Sequence, residues 1–216
     1  MNEIYEFLPL DSNNPSSSFN LVMLHGYGSD GFDLLHVGDL WQKKIPNLSV
    51  YSLQAPTPCQ DVPSGRQWFY IKDLEPYFLY KETKKSSDYL VRSLLYLSSI
   101  TKVPIEKTIL MGFSQGAMMA LYTGIYQLPQ IRGILAYSGS LFCYDSPPTT
   151  AKNTKICLIY GNEDTVVPLS LFEISSKKFK EEGLELEEHL ITGLAHSINN
   201  QALLAGESFL KKLLSI

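Results

Sequence analysis

Ile109-Leu110-Met111-Gly112-Phe113-Ser114-Gln115-Gly116-Ala117 is the stretch around which the chain is organised. An apolar run is followed by Gly-x-Ser-x-Gly and then by a small-residue helix start. That order matches a nucleophile elbow, in which a serine sits on a tight turn between a buried strand and a helix. Such a serine has a strained backbone, and side chains at minus two and plus two would collide with the neighbouring strand or helix. The strain lifts the hydroxyl out of the sheet edge. The first N–H groups of the next helix are then free to face a developing anion. The spacing alone is a weak signal, because an ordinary strand–helix turn can carry a serine between two glycines.

The rest of the composition narrows the setting. A chain of 216 residues is long enough for one domain with a sizeable core, so a single domain over 1–216 is expected. Hydrophobic residues make up 44% and charged residues 19%, the balance of a globular protein. The net charge of −4, with no basic run beyond pairs such as Lys84-Lys85, argues against a nucleic-acid partner. The acidic start, Met1-Asn2-Glu3-Ile4-Tyr5-Glu6, lacks the pattern of an export signal, and no apolar stretch is long enough to span a bilayer. Cys59, Cys143 and Cys157 have no metal-like spacing and read as reduced thiols, with Cys157 in the core. A cytoplasmic location is the expectation.

Outward from the elbow, strands and helices alternate. Residues 5–10 suggest an edge strand and 11–18 a loop. Residues 19–24, 48–53, 109–111, 131–137 and 155–160 are near-continuous apolar runs, as in strands covered on both faces. Residues 184–191 alternate and read as a strand nearer the sheet edge. Helices are expected over about 32–44, from Ser86 or Ser87 through Ile100, over 115–128, from Pro168 to 182, and over 199–214. In the second of these, Leu90, Leu94, Leu97 and Ile100 share a face. Residues 59–85 lack clear periodicity and read as a long loop, a length that is usually functional. The alternation implies an α/β fold with a mostly parallel central sheet and helices on both faces.

A serine hydroxyl needs a base, and the base needs an orienting acid. The expected chain order on this fold is serine, acid, histidine, on loops at the C-terminal ends of strands. His25 and His36 precede the serine, and His189 lies in the alternating strand beside Glu185 and Glu187. His196, in Thr192-Gly193-Leu194-Ala195-His196-Ser197, follows a strand and precedes the last helix, which makes it the candidate base. Asp164 follows the strand ending at Tyr160 and is the candidate acid; Asp145, one strand earlier, is its rival. Donors for an oxyanion are expected from the backbone N–H of Gln115 and from the first glycine-rich turn, around residues 24–26.

Taken together, Leu24-His25-Gly26-Tyr27-Gly28, Gly112-Phe113-Ser114-Gln115-Gly116, Gly161-Asn162-Glu163-Asp164-Thr165-Val166-Val167-Pro168 and Gly193-Leu194-Ala195-His196-Ser197-Ile198 resemble the phospholipase/carboxylesterase family of α/β-hydrolases. Gln54-Ala55-Pro56 and Arg66-Gln67-Trp68-Phe69-Tyr70 are also similar to it. The resemblance runs from about residue 20 to the C-terminus. It implies a serine esterase or thioesterase, as in acyl-protein thioesterases and small bacterial carboxylesterases, with Ser114 as nucleophile, Asp164 as acid and His196 as base. It also implies an oxyanion hole of the Leu24 and Gln115 N–H groups. The chain departs from the family in having Ala117 where a second glycine is common. It also has Tyr70-Ile71-Lys72-Asp73 where an aspartate often comes sooner after the Trp-Phe pair.

The 137–155 interval is too short for a helical cap domain, so the site is expected to be open. Residues 59–85 are then the candidate partial lid. Trp68, Phe69, Tyr77, Phe78 and Leu79 are candidates to line an acyl groove, though aromatics in such a loop can equally serve to pack it onto the domain. No cofactor and no metal is called for. The expected partner is a small-molecule or acylated substrate, with transient contact to lipid or acylated protein; nothing in the sequence speaks to oligomeric state. Two other readings stay open: a catalytically silent hydrolase fold used for binding, and a serine peptidase on the same fold.

Overall fold

The computed structural model describes residues 5–10, 14 and 16–215. The apolar runs form the strands expected of them. β1 (Phe7–Pro9), β2 (Phe19–Leu24), β3 (Leu48–Leu53), β6 (Thr108–Phe113), β7 (Gly133–Tyr137), β8 (Lys155–Gly161) and β9 (Glu185–Ile191) make a seven-stranded sheet in the order β1-β3-β2-β6-β7-β8-β9. Only β1 runs antiparallel, pairing with β3. β4 (Thr57–Pro58) and β5 (Arg66–Gln67) form a separate two-stranded ladder. The order places β6, the strand leading to Ser114, at the centre, and β9 at an edge as its alternation predicts. The strand expected over 5–10 is β1; most of the loop expected over 11–18 lies outside the described residues.

Period-two alternation sorts the sheet's side chains onto two cores. Val22, Leu24, Leu110, Ile134, Ala136, Ile156 and Leu158 point to one face. There they meet α2 (Pro76–Thr101), α3 (Gln115–Tyr122) and α4 (Leu169–Glu181). Leu21, Met23, Ile109, Met111, Leu135, Tyr137 and Cys157 point to the other, against α1 (Leu35–Gln42) and α5 (Asn200–Leu214). The fold is therefore an α/β-hydrolase sheet with helices on both sides. Between β7 and β8 the described residues hold only a short 3₁₀ turn, Thr149–Asn153, and no cap domain.

The segment 59–85 departs from expectation. Its second part is helical: α2 starts at Pro76, not at Ser86 or Ser87. Pro76 occupies the first helical turn, and the Glu75 carboxylate caps it by accepting from the N–H groups of Tyr77 (2.9 Å) and Phe78 (2.7 Å). Ser87 is wholly buried in the helix interior. Leu90, Leu94 and Leu97 are buried as expected, but Ile100, in the last turn, is exposed. α1 is also shorter than expected, because 31–34 form a turn that leaves Phe32 in solvent. The helix out of the elbow ends as α3 at Tyr122 and continues as a wider π turn over Thr123–Gln127.

Candidate active site

Ser114 has φ 55° and ψ −117°, a left-handed conformation that costs a non-glycine residue about 1–3 kcal/mol. The surroundings hold it there. The Ser114 N–H donates to the Tyr137 carbonyl (2.9 Å), and α3 starts at the next residue. A Cβ on Gly116 would collide with the carbonyl oxygen of Leu24, and one on Gly112 with the backbone of Gly116. The two glycines thus let strand, helix and the 24–26 turn close on one another. Gly26 lies at the hydroxyl side, since a Cβ there would stand 3.4 Å from that of Ser114.

Two loops from the C-terminal ends of β8 and β9 meet beside the elbow. The Asn162 and Glu163 N–H groups donate to the carbonyls of Ile191 (3.1 Å) and Leu194 (3.0 Å), and the Gly193 N–H donates to Asn162 Oδ1 (2.7 Å). Gly161 permits this approach, because any Cβ there would strike the Leu194 carbonyl. Asp164 is buried. Its Oδ1 accepts from the N–H groups of Val166 (2.9 Å) and Val167 (2.8 Å), which leaves Oδ2 aimed at His196 Nδ1, 2.7 Å away. The Asp164 side chain is 0% exposed and that of His196 17%, so the imidazole is the part of the pair that reaches solvent. The His196 ring packs on Phe113, the residue before the serine, with centroids 4.8 Å apart. The structure therefore gathers Ser114, Asp164 and His196 at one edge of the sheet.

The rival residues are engaged elsewhere. Asp145 accepts from Tyr80 Oη (2.7 Å) and pairs with Lys84 Nζ (2.8 Å), and these contacts hold its carboxyl below the usual range. His36 is bonded to the Asp33 carbonyl and His189 to Glu187. His25 is wholly buried. Its Nδ1 donates to the Gly26 carbonyl (2.8 Å) and its Nε2 accepts from the Ala55 N–H (3.1 Å), which makes the ring neutral; burial pushes its pKa down.

Leu24 is wholly buried within the parallel ladder, opposite Leu53 on one side and Gly112 on the other. The chain leaves the sheet only after it. In the turn that follows, the Gly28 and Ser29 N–H groups are taken by the carbonyls of Arg66 and Gly26, while the Tyr27 N–H has no backbone acceptor among the described residues. Gln115 has a second role that the motif does not announce. Its side-chain oxygen accepts from the Trp68 N–H (3.0 Å), and its amide donates to the Phe69 carbonyl (2.8 Å). The Trp68 indole in turn donates to the His25 carbonyl (2.9 Å).

The five candidate groove residues separate accordingly. Trp68, Phe69 and Leu79 are buried, Phe78 is partly buried against the same core, and Tyr77 is half exposed. Tyr77 and Tyr80 meet Tyr144, from the loop after β7, in edge-on contacts. A cleft of about 450 Å³ opens away from this edge, by the start of β8 and β9, and one of about 480 Å³ lies against the turn at Gly28 and Ser29, beside Ser64 and Gly65.

Known proteins carry the same frame. The chain is 31% identical to acyl-protein thioesterase 1 of Saccharomyces cerevisiae over 219 residues, covering 90% of this chain and 92% of the relative. It is 26% identical to esterase YpfH of Escherichia coli over 184 residues, covering 85% and 78%. The crystal structure of esterase PE8 superposes with a TM-score of 0.85 at 31% identity, over 96% of this chain and 97% of that one. A carboxylesterase from Bacillus cereus, at 15% identity and a TM-score of 0.78, shares the fold. The phospholipase/carboxylesterase family matches residues 12–214, nearly the whole of the described fold and every residue of the site, and the chain belongs to that family.

Proposed function

We propose that this chain is a serine hydrolase of acyl esters and thioesters, with Ser114 as nucleophile, His196 as general base and acid, and Asp164 as the group that orients it. The observation that carries the proposal is the 2.7 Å contact of Asp164 Oδ2 with His196 Nδ1 beside a strained Ser114. With the Nδ1 proton committed to Asp164, the Nε2 lone pair is the imidazole's free basic site. Nε2 takes the Ser114 proton as Oγ bonds to the substrate carbonyl carbon. The carbonyl electron pair moves onto oxygen and returns as the alkoxide or thiolate leaves, protonated by His196. Water, deprotonated by the same nitrogen, then releases the acid from the acyl-serine.

The oxyanion is assigned to the Gln115 N–H and to the turn that begins at Leu24, the Leu24 N–H or the Tyr27 N–H, the latter without a backbone acceptor among the described residues, being its donor. The clamp of Gln115 on residues 68 and 69 joins the 59–75 segment to the elbow. That segment, rather than all of 59–85, is the partial cover. Tyr77 and Tyr144 border the path for the acyl chain, while buried Trp68, Phe69 and Leu79 support it from within. The chain works as a single domain, in the cytoplasm, on acylated small molecules, lipids or proteins.

Hydrolysis of p-nitrophenyl esters and matched thioesters of increasing chain length tests the proposal. Both series should be cleaved and both should be lost in Ser114→Ala. Retention of activity in that variant, or cleavage of peptide amides in preference to esters, would overturn it.

A further inference from the structure

Cys157 on β8 and Glu187 on β9 are partners in the parallel register, and His189 lies two residues further along β9 on the same face. The topology brings together residues that no sequence spacing connects. Their ligating atoms, a thiol sulfur, a carboxylate oxygen and an imidazole nitrogen, all lie within 4.8 Å of one another. The proposed acyl transfer uses none of them.

We propose that Cys157, Glu187 and His189 form a binding site for a divalent transition-metal ion of the zinc type, with water in the fourth position. A mixed sulfur, nitrogen and oxygen set suits a borderline-soft ion such as zinc and disfavours calcium or magnesium. With metal–ligand bonds of about 2.0–2.3 Å, ligand atoms in a tetrahedron stand about 3.3–3.7 Å apart. From a spacing of up to 4.8 Å the groups need to close by at most about 1.1–1.5 Å, and His189 Nε2 and Glu187 Oε1 are already in contact at 2.8 Å. They sit on paired strands, so their relative placement is fixed by the ladder rather than by a loop.

A cation already occupies the carboxylate. Lys212 Nζ, from α5, lies 3.1 Å and 3.0 Å from the two Glu187 oxygens. The Lys212 side chain is 63% exposed, so it can withdraw into solvent as the metal takes its place. The cleft lined by Glu187, Phe209 and Lys212 brings solvent to the carboxylate, while Cys157 is wholly buried, so an ion would meet the β9 ligands first. On binding, the Cys157 S–H bond breaks, the sulfur–metal bond forms, and the proton leaves to bulk water.

Cobalt(II) titration of the full chain, with zinc as competitor, tests this site. One equivalent should bind and produce a thiolate-to-cobalt charge-transfer band together with the visible absorption of a tetrahedral ion, both removed by zinc. Cys157→Ser should abolish the band, whereas Cys59→Ser and Cys143→Ser should keep it. Glu187→Gln and His189→Gln, at partly exposed positions, should each weaken cobalt binding by more than about tenfold, since loss of even an outer-shell partner costs that much. No band, a band that survives Cys157→Ser, or unchanged affinity in both β9 variants would overturn the proposal. If Cys157→Ser does not fold, the two β9 variants decide the matter alone.

Discussion

The elbow and the paired acid and base loops reach the same sheet edge by different means. Ser114 is held by backbone collisions: a strained φ of 55° is locked between glycines that leave no room for a methyl group. Asp164 and His196 are held by a ladder of hydrogen bonds between the loops after β8 and β9. Steric locking fails all at once when a single atom is added. Hydrogen-bonded positioning is spread over several contacts and weakens in steps of about 1 kcal/mol.

The largest effect is expected at the acid. Asp164→Asn should lower kcat by about 10⁴-fold, because Oδ2 no longer fixes the imidazole tautomer, while Asp145→Asn should leave ester turnover nearly unchanged. Steady-state kinetics on the two variants checks this, and the reverse pattern would move the acid to the β7–β8 loop. At the elbow, Gly116→Ala should cost more than about 2 kcal/mol in denaturant unfolding and remove activity together with stability, as its methyl group meets the Leu24 carbonyl. On the loop side, Asn162→Ala should cost only about 1 kcal/mol and reduce kcat several-fold, since two backbone bonds between the loops remain.

The smallest effect concerns pH. Burial holds His25 below its ordinary value of 6.5, outweighing the Gly26 hydrogen bond that favours charge. The unfolded chain then takes up a proton near pH 6.5 that the folded chain resists. This contribution to stability is present above pH 6.5 and is lost as the pH falls below it. Thermal midpoints measured from pH 7.5 to 5 should decline, and the decline should be shallower in a folded His25→Gln variant. An equal slope in the two proteins would remove His25 from this role.

Much of this frame is legible in the sequence because buried parallel strands are apolar throughout and the chemistry sits at their ends. The strands 19–24 and 48–53, the elbow, Asp164 and His196 all follow from runs and order. The start of α2 was hidden for a physical reason. Two of its buried positions are Thr83 and Ser87, small polar residues, so the apolar stripe fades through the first half of the helix. Pro76 after a capping Glu75 was the available signal. The clamp made by the Gln115 side chain and the meeting of Cys157 with Glu187 were not legible, because each joins segments that only the folded topology places side by side. Leu24 marks the intermediate case: the motif locates the turn, and only the register shows that Leu24 is the last ladder residue before it.

The proposed chemistry rests on Ser114 as a nucleophile activated by His196. Labelling of the native protein with a fluorophosphonate, followed by mass mapping of the modified peptide, tests it most directly. A single adduct on Ser114 is expected, formed at a rate that falls by several orders of magnitude in His196→Ala. An unlabelled native protein, or an adduct at another serine that survives Ser114→Ala, would contradict it.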